Sequence, residues 1–598
     1  MIRRLAILVL AACALAAALA GEASAHARLV DSVPARDAVA KTQPKTVQFR
    51  FDESVEGKFG AVKVFDVAAR RVDDGDTKHP GGQGKVLQTG LKPNLPDGTY
   101  TATYRVVSAD GHPVEGGLVF SIGKAGASTS KTIDELIGTA KAGPATKVPF
   151  GIARSIDYLA TALAIGLLAF LLWCWRRGLA EVAGAGAEWR TASEALAARA
   201  RRILFAVVLL GLVSTALGIV FQGAVAAGTT FWGALDGTIL RDVISTRFGT
   251  VWALKAGVWA ALGAALVVVA PRHAFALRPA ALGADGQVLG APGTARLVAL
   301  IVPATALAFA PAFAGHATTQ DEPLLLIPAD VVHVLAMSLW FGGLAGLLLL
   351  VPRATAALEP VDRTRLLAAV LVRFSPLALA CVLALSITGT LQSIVYLQSF
   401  GDFLDDAFGR AVLIKIGLIL ALIGMGATNR QRVLPQLRQL ASGGGTPGAA
   451  GHLLRRTLRL EVGTVLVVLA VTGALVGYAP PSSTAGVTGP VNISERLGPL
   501  QLEATIEPAR VGANTMHLYL FAAKGGRPFD GTQEITVTAT QKKSGVGPIA
   551  VSMQKTGPGH YTADRFQLVP GGTWTFDVVD RVSEFDQYET SFTAEVGR

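Results

Sequence analysis

Hydrophobic residues along this chain follow two rhythms. Between about 150 and 480 they gather into eight long runs, 152–173, 202–224, 249–270, 297–314, 325–351, 371–396, 410–428 and 459–478. Each is near the ~20 residues that cross a bilayer as a helix. On both sides of this block the period shortens. Val47, Phe49 and Phe51 alternate with Gln48 and Arg50, as in a half-buried strand. Residues 61–67 and 99–107 repeat that pattern and 118–122 closes it, with Gly, Pro and Asp clusters between. A small Ig-like β-sandwich over 26–124 is the simplest packing for such a set. Residues 500–506, 517–521, 534–540 and 574–579 predict a second sandwich over 491–598. The stretch 125–151, rich in Ala, Gly, Ser, Thr and Lys, reads as a linker into a membrane domain over 152–480. Ahead of everything, Arg3 and Arg4, an apolar run over 5–20 and Ala23-Ser24-Ala25 read as a signal peptide over 1–25, cleaved after Ala25.

The eight runs read as two copies of four. Phe248-Gly249 precedes Lys255 as Phe408-Gly409 precedes Lys415, and Asp157-Tyr158-Leu159-Ala160 aligns with His333-Val334-Leu335-Ala336. Gly166 and Gly342 follow at the same offset. Four spans per copy give two repeats of one orientation, an eight-helix bundle of parallel repeats. The expected fold class is thus a multidomain membrane protein, with a β-sandwich at each end of that bundle.

Composition agrees: 51% of the 598 residues are hydrophobic. The net charge of +11 suggests nucleic acid at first sight. Its arginines, however, sit between apolar runs, among them Arg176, Arg177, Arg272, Arg278, Arg353, Arg363, Arg430, Arg432, Arg455 and Arg456. The alternate loops carry acids instead: Asp236, Asp242, Asp321, Glu322, Asp402, Asp405 and Asp406. That asymmetry is a topology signal and places both termini outside the cytoplasmic membrane, with a lipid bilayer rather than nucleic acid as partner. Of three cysteines, Cys13 leaves with the signal, while Cys174 and Cys381 fall in apolar runs, so no disulfide framework is available.

Cleavage after Ala25 would make His26 the first residue, offering an α-amine and an imidazole together. Asp110-Gly111-His112, on the loop between the last two strands of the first sandwich, adds a carboxylate and a second imidazole. Nitrogen and carboxylate donors of this kind favour Cu(II), and the mature first domain has no Met or Cys for Cu(I). Asp52, Glu53 and His79 read as loop residues. Within the membrane block His333 stands out, because an ionisable group in a span is costly and usually faces the bundle interior. Met337 lies four residues on, on the same helix face, and a His/Met pair suits copper in transit. His316 either hands a metal on to His333 or caps the fourth span. Asp157 is expected to pair with Arg154, Lys255 and Lys415 to snorkel or pair with acids, and Glu461 to pair with Arg459 or to serve in a proton or ion relay. Met516, His517, Met553 and His560 could bind copper in the last domain or simply belong to its core and surface. No Walker motif or ATPase signature is present, axial ligand pairs for haem are wanting, and no enzymatic activity is expected.

These residues carry a resemblance. The signal, His26 and Asp110-Gly111-His112 resemble the CopC copper-resistance domain. Gly315-His316-Ala317, the helix from His333 to Leu339-Trp340-Phe341-Gly342-Gly343, and Phe408-Gly409-Arg410 to Lys415 resemble CopD. The whole is similar to fused CopC–CopD proteins of the YcnJ type, with a tail similar to YtkA-like domains. The resemblance implies His26, Asp110 and His112 as Cu(II) ligands and a polytopic domain linked to copper uptake. Sequestration of copper outside the membrane, or delivery through exported chaperones to an exported cuproenzyme, is the competing role.

Overall fold

The structure is a computed structural model. It describes residues 27, 29–36, 38–59, 61–108, 111, 113–124, 136, 144–184, 187–268, 294–318, 322–397, 399–478, 491–522 and 527–597. The chain divides into two compact units, one built on Gly143–Gly223 and Val243–Ser482, the other on Ala25–Ala142, Ala224–Asp242 and Ser483–Arg598.

The first unit is helical. Among the described residues eight helices are long and apolar enough to cross a membrane: α1 Ala145–Val182, α2 Ala187–Ala227, α3 Arg247–Val268, α4 Leu297–Ala314, α5 Pro323–Ala357, α6 Pro360–Tyr396, α7 Ala407–Ser442 and α8 Gly448–Leu475. Their number matches the eight apolar runs. Most outlast those runs, since the backbone hydrogen-bond ladder continues into polar turns. Thus α1 begins inside the stretch read as linker and runs past Arg176 and Arg177. Apolar side chains such as Leu209, Leu254, Ile387 and Leu420 lie more than half exposed, where no protein covers them, as a lipid-facing surface requires. Trp175 and Trp259 are fully buried in the bundle, and so are both cysteines.

Packing supports the internal duplication. α1 and α5 cross where the paired glycines meet, and a Cβ on Gly166 or Gly342 would collide with the backbone of the other helix. Only glycine permits so close an approach. A π-helical stretch follows at the same offset in both copies, Phe170–Trp175 in α1 and Gly346–Leu350 in α5. The second pair behaves alike. Short helices Gly237–Ser245 and Asp402–Asp405 precede α3 and α7, and Gly249 and Gly409 lie against the backbone of Val243 and Asp402.

The second unit holds both sandwiches. The first has β1 Leu29–Val33, β2 Val39–Ala40, β3 Thr46–Phe51, β4 Val55–Glu56, β5 Val62–Phe65, β6 Val86–Gly90, β7 Gly98–Ser108 and β8 Pro113–Ile122. One sheet runs β1-β3-β6, the other β2-β8-β7-β4 with β5 also on β7. Val47, Phe49, Phe51, Leu87, Tyr104 and Phe120 form the core, which is the apolar half of the predicted alternation. The last domain has β9 Val491–Leu497, β10 Leu500–Glu507, β11 Gly512–Ala522, β12 Glu534–Gln541, β13 Val546–Val551, β14 Gln554–Gly557, β15 His560–Leu568, β16 Gly572–Arg581 and β17 Gln587–Val596. Its sheets are β14-β15-β11-β10-β9 and β13-β12-β16-β17, closed over Trp574, Phe576, Met516 and Leu518.

Candidate functional site

Two places carry the chemistry expected from the sequence. In the first sandwich, His26, Asp110 and the whole of His112 lie outside the described residues, but their frame does not. β7 and β8 form a hairpin paired from Gly98↔Ile122 to Val107↔Pro113, closed by a turn. Within that turn the Gly111 N–H donates to the Ser108 carbonyl at 2.9 Å, with a left-handed φ of +93° that glycine accommodates. The N-terminal strand belongs to the other sheet, where Leu29 pairs with Phe51 at the end of β3. From Phe51 the chain needs only four residues to reach Val55, which pairs with Ser108 at the base of the turn. Register therefore brings the start of β1 and the end of β7 to one edge of the sandwich, within ~14 Å of chain. Asp52 and Glu53 lie on that connection, and Lys85 Nζ donates to the Asp52 carbonyl at 2.6 Å. His79 sits elsewhere, its Nδ1 2.8 Å from the Val86 carbonyl, in keeping with a loop histidine.

In the membrane unit the two copies have the same frame and different chemistry. Asp157, fully buried in α1, forms an ion pair with Lys255 of α3 and accepts a hydrogen bond from Thr215 Oγ1 of α2 at 3.2 Å. Arg154, the expected partner, has its guanidinium over the Phe150 ring, 3.8 Å from the centroid. In the second copy the matching position is His333, half-buried, with Nδ1 2.9 Å from Thr388 Oγ1 of α6. An acid is still present, but one turn earlier: Asp330 accepts from Gln392 Nε2 at 3.2 Å. Lys415 of α7 lies in the same part of the bundle as Asp330 and His333. In the second copy an imidazole bonded to a hydroxyl thus takes the position that a carboxylate holds in the first. Met337 stands one turn from His333, half-buried and packed against the bundle core. His316 opens a single turn, His316–Thr318, and its side chain lies outside the description.

Sequence reasoning missed Thr215, Thr388, Asp330 and Gln392. Only Asp330 had a signal, an acid inside an apolar run; the others are ordinary helix residues until the helices are packed. It also missed Arg105. This side chain is buried on β7 beside Glu115, and its Nε and Nη2 donate to the carbonyls of Ala226 and Val225 at 2.8 and 3.1 Å. In the last domain Met516 points into the core while His517 lies on the opposite face, so the adjacent pair is no joint donor set. His517 and His560 rings stand 5.7 Å apart, with Tyr519 stacked on His560. Among the described residues no group of three or more His, Cys, Asp or Glu is placed to hold a metal.

Fold and site define a class: a multi-pass membrane protein of two similar four-helix halves that carries a β-sandwich at each end of the chain. Family models match in the same places, the CopC domain over residues 29–123, the copper resistance protein D-like N-terminal domain over 145–325 and copper resistance protein D over 368–475. One chain thus carries matches to both the CopC and the CopD family models. It is 28% identical over 582 residues to the copper transport protein CutJ of Bacillus subtilis (strain 168), covering 95% of each chain. It is 33% identical over 98 residues to protein YobA of Escherichia coli (strain K12), covering 16% of this chain and 79% of the relative. The crystal structure of CopC from Methylosinus trichosporium OB3b is 30% identical, covering 17% of this chain and 98% of that one with a TM-score of 0.16.

Proposed function

We propose that this protein takes copper into a bacterial cell across the cytoplasmic membrane. The first sandwich would capture Cu(II) outside, through the amine and imidazole of His26 with Asp110 and His112. The membrane unit would pass copper inward through the second copy, as Cu(I) where a His/Met pair receives it. The observation that carries this reading is the substitution of His333 for the neutralised Asp157. One copy keeps a closed ion pair at its centre, while the other offers a soft nitrogen beside a thioether, held by a threonine. The name of the full-length relative CutJ points the same way. With the arginine-rich loops inside, both sandwiches stand on the outer face. Exported chaperones or cuproenzymes would then be partners only in the competing role, and no enzymatic step is assigned.

The test is the copper content of cells under copper limitation. A strain lacking the protein, restored with wild type or with His333→Ala, separates the roles. Low copper in the deletion and in His333→Ala supports import through the second copy. Normal or high copper in the deletion refutes import and favours sequestration or delivery outside.

A further inference from the structure

We propose that Glu461 is a proton-binding site inside the membrane unit, a carboxyl that takes up and releases a proton within the bundle. It lies on α8 two residues after Arg459 and was expected to pair with it. The structure gives it a different setting. Glu461 is 2% exposed, and Asn429 Nδ2 donates to its Oε1 at 2.7 Å. Asn429 is itself held, since Thr457 Oγ1, one turn before Glu461 on α8, donates to Asn429 Oδ1 at 2.6 Å. That contact sets the amide with its NH2 group toward the carboxyl.

The charged groups at this end of the bundle include Arg176, Arg177 and Glu181 on α1, Arg199, Arg201 and Arg202 on α2, Arg353 on α5, Asp362, Arg363, Arg365 and Arg373 on α6, Arg430, Arg432 and Arg438 on α7, and Arg455, Arg456 and Arg459 on α8, which also carries His452. Those with known partners are turned elsewhere. Arg373 pairs with Glu181 at 2.5 Å, Arg430 donates to Ser375 Oγ at 2.9 Å, and Arg455 donates to the Gly451 carbonyl at 3.3 Å. Among the described residues none forms an ion pair with Glu461. An ionised carboxylate held by one neutral amide in an apolar bundle is strongly disfavoured, whereas a neutral acid fits the same contacts.

The placement adds a hinge. Thr457 lies one turn nearer the arginine-bearing end of α8. Asn429 opens the π-helical stretch Asn429–Val433 of α7, and such stretches let a helix shift register locally. Proton loss leaves a negative charge, and proton binding removes it, with no other reactant needed. If the transport reading above holds, a cation passing this end can exchange with that proton at constant charge.

The experiment uses the purified full-length chain in lipid nanodiscs without copper, followed by infrared spectroscopy as pH rises. Wild type should show the carbonyl stretch of a protonated carboxylic acid, fading as pH increases, and Glu461→Gln should lack it. His333→Ala should keep it, so failure of the copper reading leaves this result standing. Asn429→Leu removes the one donor that favours the ionised form, and the fading should then move to higher pH. That variant also decides the matter if Glu461→Gln does not fold. A band unchanged in Glu461→Gln, no such band in wild type, or a midpoint unmoved in Asn429→Leu would overturn the proposal.

Discussion

Removing the charge of Lys255 alone should destabilise the membrane unit far more than removing both charges of its ion pair. Asp157 is 0% exposed and Lys255 is 3% exposed, so neither charge has water to fall back on. In Lys255→Met the Asp157 carboxylate keeps one hydroxyl donor, Thr215 at 3.2 Å, and loses its only cationic partner among the described contacts. Stranding one member of a buried pair costs about 3–5 kcal/mol, while replacing both with neutral groups of similar volume is often close to neutral. The double variant Asp157→Asn/Lys255→Met should therefore recover most of the loss, a coupling of roughly 3 kcal/mol, well above the usual non-additivity of distant sites. Thermal unfolding of the purified protein in one mild detergent, across wild type, both single variants and the double, measures this. On the proposed import role, copper uptake by the double variant is the companion readout and should stay near wild type. Equal losses in Lys255→Met and the double would refute the pairing argument. A stable double variant without uptake would refute the assignment of the first copy to structure and the second to chemistry.

Two further outcomes follow from the first sandwich. One extra residue left before His26 abolishes the amine–imidazole chelate and should weaken Cu(II) binding on the order of tenfold or more, ~1.4 kcal/mol; equal affinity in a competition titration would remove the N-terminal site. Burial opposes the charge on Asp73, but the Arg71 guanidinium at 2.6 Å and the Val64 N–H at 3.0 Å outweigh it and hold the carboxyl below its ordinary value. Its folded pKa is lowered, so its contribution is present above about pH 3.9, the ordinary Asp value, and is lost as pH falls through the folded one. Asp73→Asn should cost ~2 kcal/mol at neutral pH and flatten the acid limb; unchanged hydrogen-exchange protection of β5 in that variant would contradict this.

The sequence carried whatever a period could carry. Alternation at Val47, Phe49 and Phe51 marked β3, and apolar runs marked all eight spans, because both signals come from which face is buried. Where burial does not alternate, the signal fails. β13 is exposed at four successive positions, Gly547 to Ala550, and β14 is three polar residues and a glycine, so neither stands out from a loop. Helix ends were misjudged for a related reason: apolar character stops at the membrane boundary, while the hydrogen-bond ladder of α1 goes on to Val182. Partners were the least legible of all. Local reasoning offered Arg154 to Asp157 and Arg459 to Glu461, and in both cases packing supplied a distant residue, Lys255 and Asn429.

That last failure explains why the duplication matters for chemistry. A repeat fixes backbone positions, here through Gly166 against Gly342 and matching π-helical stretches, so corresponding side chains meet corresponding neighbours. With the frame held constant, a difference between copies is a difference in chemistry alone. In the first copy, acid and lysine lie close enough to cancel. In the second, the acid sits one turn away at Asp330, and its former place holds an imidazole that bonds to a hydroxyl and has Met337 one turn along. The acid is thereby displaced from the position that His333 occupies. A His333→Asp variant would recreate the first copy's pairing, with Lys415 in the role of Lys255. On this argument it should fold at least as well as wild type and lose the membrane unit's affinity for a soft cation.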